Sequence, residues 1–279
     1  MTAADAAVQE AAPAKINLAL HVTGRRADGY HLLDSLVVFA GAGDVVRARP
    51  APRTRLQVTG PMAAGVPDGA ENSVLRAAAL IGVEADLVLE KHLPAAAGIG
   101  GGSSDAAAAL RALARLAGVA VPEDVLSLGA DVPVCLLAGA ARMRGIGEDV
   151  AAVGGVPALD AVLVNPRVPV ATPAVFARLE RRENAGLPEV LPRWRDAAAC
   201  ARWLETQRND LEAPARALCP EIGAVLDALR AGGGCRLARM SGSGATCFGL
   251  CPDAPTARAE AARIAGERPD WWVVATRLG

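Results

Sequence analysis

Gly98-Ile99-Gly100-Gly101-Gly102-Ser103-Ser104-Asp105 runs directly into an alanine-rich segment, Ala106 to Ala117. Glycine lets the backbone adopt positive φ and come close to a ligand. A helix starting behind such a run presents unpaired N–H groups and the positive end of its dipole. Together these features make a ready anion site, and phosphate is the usual occupant. The plain alternative is a tight turn with a capped helix, because Ser103, Ser104 and Asp105 are all good N-cap residues. The density of glycine favours phosphate binding over that alternative.

Two better-known loops fail on detail. A P-loop needs Lys then Ser or Thr after its last glycine, whereas Gly102 is followed by Ser103 and Ser104. A dinucleotide loop reads G-x-G-x-x-G after a strand, and counted from Gly98 the sixth position is Ser103. No Asp or Glu closes a strand further on, where Gly118 to Pro122 leads into another helix. The run is a phosphate loop of a third kind.

The chain has 279 residues, enough for one large domain or two ordinary ones. Hydrophobic residues make up 52% and aromatic residues only 3%, so a buried core must be built from Ala, Val and Leu. A net charge of −1 argues against nucleic acid or a membrane as partner. No apolar run is long enough to span a bilayer. Met1 to Ala12, with Asp5 and Glu10, reads as a short disordered tail and not as a signal peptide. The cysteines Cys135, Cys200, Cys219, Cys235, Cys247 and Cys251 form no CxxC. Buried free thiols are expected, without a zinc site, in a cytoplasmic protein.

Around the loop, period-two alternation predicts a strand at Ile16–Val22, and Asp86–Glu90 also reads as a strand. Shorter strands are predicted at Leu36–Ala40, Val45–Arg49, Arg55–Thr59, Val134–Leu137, Ala141–Arg144 and Asp149–Val153. Gly24 to Gly29 reads as a polar turn. Asn72 and Ser73 cap a helix running to Ile81, and Pro122 opens another to Leu128. Gly154-Gly155-Val156-Pro157 marks a boundary between domains of 1–153 and 154–279. Beyond it come a strand at Asp160–Val164, helices from Thr172 to about Arg182 and from Pro220 to Leu229, a hairpin around Ser241-Gly242-Ser243-Gly244, a helix at Thr256–Gly266 and a last strand at Trp271–Thr276. Strands cluster early and helices are interspersed irregularly, which predicts the α+β class.

Other residues carry chemistry. Lys15 and Asn17 share one face of the first strand; Lys15 is either at an exposed strand end or in a polar site. Asp131 is a single acid in Gly129-Ala130-Asp131-Val132-Pro133: a turn residue, or a carboxylate that accepts a proton from a substrate hydroxyl. Tyr30 is the chain's only tyrosine and adjoins His31; it is a structural residue or lies on a planar ring. Ser241 to Gly244 is a hairpin turn that also supplies N–H groups to a phosphate or hydroxyl.

Taken in order, Pro13-Ala14-Lys15-Ile16-Asn17, Gly24 to His31, Gly98 to Asp105, Gly129 to Pro133 and Gly242-Ser243-Gly244 resemble the GHMP kinase superfamily from about Pro13 to the C-terminus. Lys15 to His31 resembles its branch acting on 4-diphosphocytidyl-2-C-methylerythritol, in the non-mevalonate route to isoprenoid precursors. The resemblance implies a two-domain fold, the first domain binding ATP, the second contributing to substrate binding and the active site between them. It implies transfer of the γ-phosphate of ATP to the substrate 2-hydroxyl. Asp131 and Lys15 match the catalytic pair, and a neighbouring cation would keep Asp131 ionised. Pro94, Ala95, Ala96, Ala97, Gly98, Ile99, Gly100, Gly101, Gly102, Ser103 and Ser104 match the ATP loop, with Ser104 a candidate Mg2+ ligand. Tyr30 and His31 match residues that stack on and hydrogen-bond cytosine, and Phe176 matches the aromatic on its other face. Asn17, Thr172, Gly242, Ser243 and Gly244 complete the implied substrate contacts. The loop opens on alanines where the family more often has Met and glycine, and the short link from Ala117 to Gly129 trims the helix Pro122–Leu128. The expected partner is a small cytidine-diphosphate-linked alcohol, and the expected state a monomer or weak homodimer. The competing readings are a GHMP kinase for homoserine or a mevalonate-type alcohol, and a nucleotide-binding member without turnover. Those alcohols carry no base, and Tyr30, His31 and Phe176 weigh against them.

Overall fold

The computed structural model describes residues 7–95 and 97–279. They divide into two compact units: 7–14, 42–95 and 100–138 form one, and 15–41, 97–99 and 139–279 the other. Two long strands, β1 (Val8–Arg25) and β2 (His31–Pro50), contribute residues to each. Helices and strands are mixed throughout, as the α+β class requires.

In the first unit β2 pairs antiparallel with β4 (Ala85–Glu90), from Val45↔Glu90 to Pro50↔Ala85. On its other side β4 takes β3 (Arg55–Thr59) in parallel. Ala85, Leu87 and Leu89 point inward at period two and are buried. Between β3 and β4 lies α1 (Ser73–Ile81). Asn72 caps it by accepting the Val74 N–H at 2.9 Å, a contact of about 1 kcal/mol. Gly82 ends it in the left-handed conformation. Helix α2 (Gly101–Ala117) packs on α1, with Ala106 to Ala109 fully buried. Alanine has the highest helix propensity and lets backbones approach, which is how so few aromatics still make a dense interior. A short 3-10 turn (Val125–Leu128) and α3 (Val132–Leu137) complete the unit.

In the second unit β2 pairs with β5 (Ala141–Gly145), which pairs with β6 (Asp149–Ala152). An antiparallel array follows in which β7 (Leu159–Asn165) lies between β9 (Cys247–Cys251) and β10 (Trp272–Leu278), and β8 (Leu237–Met240) flanks β9. β10 meets β2 at Leu278↔Ala40. Helices α4 (Thr172–Ala177), α5 (Ala197–Glu205), α6 (Glu212–Leu218), α7 (Glu221–Ala231) and α8 (Ala254–Glu267) belong to this unit. Its core gathers Val162, Val164, Ile222, Leu226, Met240 and Ile264.

Four expectations are corrected. Val134–Leu137 is helical, because Pro133 fits the first helical turn and a short apolar run does not distinguish strand from helix. Val8 to Ala12 belongs to β1, held there by Glu10 against Arg111 and Arg115; Met1 to Ala6, including Asp5, lies outside the described residues. Leu36–Ala40 and Val45–Arg49 are one strand, continuous through Gly41-Ala42-Gly43. A Cβ at Gly43 would stand 2.6 Å from the Ala12 carbonyl, so glycine there permits close approach of β1 and does not mark a turn. The helix from Thr172 ends at Ala177. Among the described residues no helix is long and apolar enough to cross a membrane.

Candidate active site

The glycine run divides at Gly100. Gly98 and Gly100 have φ of 71° and 64°, which glycine alone adopts freely. Helix α2 begins at Gly101, so Gly101, Gly102 and Ser103 form its first turn, with no side-chain cap at Gly100. The Ser104 N–H already donates to Gly100 O at 2.8 Å. The helix thus opens on glycine backbone, the smallest barrier to an anion approaching its N–H groups. Pro94, Ala97 and Ile99 are buried while Ala95 and Gly102 are exposed; Ala96 lies outside the described residues.

Beside this helix end sits a cluster of buried charges. Lys91 Nζ bonds Asp105 at 2.8 Å and also reaches Asp44. Asp44 Oδ1 accepts the N–H groups of His92 at 2.6 Å and Leu93 at 2.8 Å. Burial pushes the Asp105 carboxyl up to about 7 against the pull of Lys91, while the two carboxylates overcome burial and hold Lys91 above the ordinary lysine value.

In the other unit the two glycine–serine segments meet backbone to backbone. A Cβ at Gly98 would stand 2.5 Å from Gly244 O, and one at Gly242 would stand 2.6 Å from Gly98 O. Thr246 N donates to Ala97 O at 3.1 Å, and Lys15 N donates to Ile99 O at 2.9 Å. Asn17 N donates to Ser241 Oγ at 3.1 Å, and its side-chain amide donates to Ser35 Oγ at 2.8 Å. The Asn17 Oδ1 acceptor is buried with no partner. Thr172 and Ser243 share a hydroxyl bond of 2.7 Å. Lys15, Asn17, Thr172 and Gly242 to Gly244 therefore belong to one constellation with Gly98.

Asp131 lies in the first unit, half-buried, at the start of α3, and does not cap that helix. Its turn adjoins the phosphate loop: a Cβ at Gly129 would come within 3.5 Å of Ser103 Oγ. Lys15 is only 5% exposed, on β1.

At the far end of β1, Tyr30 closes the polar turn, donating its N–H to Asp28 at 3.2 Å and accepting from Arg26 N at 2.7 Å. Its side chain is exposed. His31 stacks on Phe176, with ring centroids 4.8 Å apart and planes 20° from parallel. The His31 Nε2 atom is buried with no partner. Burial, then Arg25 and Arg182, hold His31 below the ordinary histidine value, so its ring is neutral at neutral pH.

Three polar contacts escaped sequence reasoning: the Lys91 cluster, the bond from Asn17 N to Ser241 Oγ, and the buried pair Asp34–Arg142, bidentate at 2.7 and 2.8 Å. Arg142 also donates to the carbonyls of Leu187, Pro188 and Glu189. Only Lys91 left a local trace, as a charge between a predicted strand and the loop.

For Mg2+ the fit is poor at the residue singled out. Ser104 is fully buried and its hydroxyl donates to Pro13 O at 2.7 Å, which favours a structural role over a metal ligand. Among the described residues no group of three or more His, Cys, Asp or Glu is placed to hold a metal ion.

Residues 70–154 match the model of the GHMP kinases N terminal domain, and 173–268 that of the GHMP kinases C terminal domain. A 4-diphosphocytidyl-2-C-methyl-D-erythritol kinase of Dinoroseobacter shibae is 59% identical over 268 residues, covering 96% of this chain and 93% of the relative. A crystal structure of a 4-(cytidine 5'-diphospho)-2C-methyl-D-erythritol kinase superposes with TM-score 0.80 at 36% identity, over 97% of this chain and 99% of that one. A mevalonate kinase of L. major shares the fold at TM-score 0.68 and 16% identity, over 97% and 95% of the two chains.

Proposed function

The chain belongs to the 4-diphosphocytidyl-2-C-methyl-D-erythritol kinases of the GHMP kinase family, and we propose that it transfers the γ-phosphoryl group of ATP to the 2-hydroxyl of 4-diphosphocytidyl-2-C-methyl-D-erythritol through the residues described above. The observation that carries the assignment of roles is the set of polar groups left open: the uncapped glycine start of α2, Asn17 Oδ1 and His31 Nε2. Buried acceptors and donors without partners are rare in folded proteins and call for an explanation, of which a ligand is one.

In this reading the α2 N-terminus and the backbone from Pro94 to Ser103 hold the ATP phosphates, where N–H groups and the helix dipole oppose their charge. Phosphoryl transfer asks mainly for positioning and charge stabilisation. Asp131 accepts the 2-hydroxyl proton as the oxygen bonds to the γ-phosphorus and the bond to ADP breaks. Lys15 is the cationic member of the proposed catalytic pair. Asn17 and the Gly242–Gly244 turn orient the alcohol, while Tyr30, His31 and Phe176 select cytosine by stacking and through His31 Nε2. Mg2+, when bound, would supply charge neutralisation to the phosphates; Ser104 is not assigned to it. Six free cysteines, five of them buried, support a reducing, cytoplasmic setting. The enzyme works on a small molecule, as a monomer or weak homodimer.

The test is ATP-dependent phosphorylation of three alcohols: the cytidyl alcohol, homoserine and mevalonate. Turnover is expected with the first alone. Asp131→Asn should lower kcat by about 10²–10⁴-fold with ADP binding intact. Turnover on homoserine alone would refute the substrate, and near-full activity of Asp131→Asn would refute the base.

A further inference from the structure

We propose that Asp44, Lys91 and Asp105 form a buried clamp across the two ends of the phosphate loop, and that these three are positioning residues for nucleotide binding. The proposal rests on the reading of that loop as the ATP loop. Seven residues, 94–100, separate Leu93 from the first residue of α2. Glycines at 98 and 100 add backbone freedom to this segment. Freedom at a binding loop is lost when ligand binds, and that loss weakens affinity unless the loop is held beforehand.

The clamp holds both ends. On the entry side Asp44, fully buried, takes the N–H groups of His92 and Leu93 on one carboxylate oxygen and Lys91 Nζ on the other. The Lys91 backbone is fixed as well, donating to Thr59 O at 2.7 Å and accepting from Met62 N at 3.1 Å. On the exit side the same ammonium bonds Asp105, one turn into α2. A Cβ at Gly101 would stand 3.8 Å from Lys91 Nζ, which places the ammonium beside the first helical residue.

Stability alone is a weak reason for such a cluster. Burying ions carries a desolvation cost that their attraction offsets only in part, and apolar replacements of similar volume are often as stable. What an ionic cluster adds is a defined geometry. Here that geometry spans the two backbone segments whose spacing sets where the loop N–H groups point.

The test compares Asp44→Asn and Asp105→Asn, which keep shape while removing charge, with the wild-type full chain. Three readouts are taken: the ADP dissociation constant by calorimetry, separate KM values for ATP and the cytidyl alcohol, and Tm. Each variant is expected to raise the ADP dissociation constant and the ATP KM about tenfold, with the alcohol KM within about twofold of wild type. Should Asp44→Asn fail to fold, the same expectation falls on Asp105→Asn alone. ADP affinity within twofold of wild type in either folded variant would overturn the clamp. So would a parallel rise of both KM values with a falling Tm, the signature of general loosening. If the wild type shows no ATP-dependent turnover, the kinase reading fails while the ADP titration still judges the clamp.

Discussion

Tyr30 and His31 are neighbours in sequence with opposite surroundings. Tyr30 is 62% exposed on a turn whose backbone is fixed at both its N–H and its carbonyl. His31 is packed against Phe176, 145 positions further along. An exposed aromatic on a rigid turn adds little to stability and is well placed to stack on a planar ligand. Base stacking on an aromatic is worth about 1–3 kcal/mol, so Tyr30→Ala should raise the KM for the cytidyl alcohol about tenfold and leave the ATP KM within about twofold. Steady-state kinetics with each substrate varied in turn would check this. Equal changes in both KM values would remove Tyr30 from the base site. The dipeptide stood out in the sequence because the chain's only tyrosine adjoins a histidine just after the turn of Arg26, Asp28 and Gly29. The stacking of His31 directly on Phe176 was not, since nothing local joins them.

The same contrast holds for elements. The glycine run stood out in the sequence, but the helix behind it starts at Gly101, five residues before the alanines that predict it. Propensity places glycine outside a helix, whereas at the first turn no N–H requires an intrahelical partner and glycine is tolerated there. Ser103, Ser104 and Asp105, read as caps, lie inside the helix, and their side chains turn elsewhere: Ser104 to Pro13, Asp105 to Lys91. Contact of the loop with the Ser241–Gly244 turn joins positions about 140 residues apart and left no periodic signal. That contact makes Gly98 exacting. Gly98→Ala meets both a φ of 71° and a carbonyl 2.5 Å from its new Cβ. Gly155, with φ of 78° and nothing within 4 Å of its Cβ position, separates the two effects. Gly155→Ala should cost only backbone strain, about 1–2 kcal/mol. Gly98→Ala should cost more and also lower kcat/KM for ATP at least about tenfold, because the loop must shift. Denaturant melts and ATP-dependent kinetics of both variants decide this; matching behaviour would mean that the two loops do not constrain each other.

At the scale of the whole molecule, alternation, capping and glycine showed where strands and helices lie, while the buried ionic pairs stayed hidden. Asp44 meets Lys91 across 47 positions and Asp34 meets Arg142 across 108. These separations are set by tertiary structure, and an isolated acid in a sequence carries no mark of its partner. Histidine burial is hidden in the same way, and it sets the acid response. His21 on β1 is 1% exposed; burial, then the charge of Arg208, lower its pKa, against the opposing pull of the Gly186 backbone, Asp210 and Asp34. His31 is shifted in the same direction. The unfolded chain therefore takes up protons near the ordinary value of 6.5, before the folded chain does. Stability rises with pH wherever the unfolded state binds more protons. It should accordingly be unaffected by these groups well above pH 6.5 and fall as the pH drops below that value, continuing to the lower folded-state pKa. Each such histidine contributes at most about 1.4 kcal/mol per pH unit. His21→Gln removes one of them, so its Tm should decline less steeply than that of wild type between pH 7 and pH 5.5, whatever its Tm at neutral pH. Calorimetric melts across that range measure the two slopes, and identical slopes would show that His21 is not held neutral in the fold.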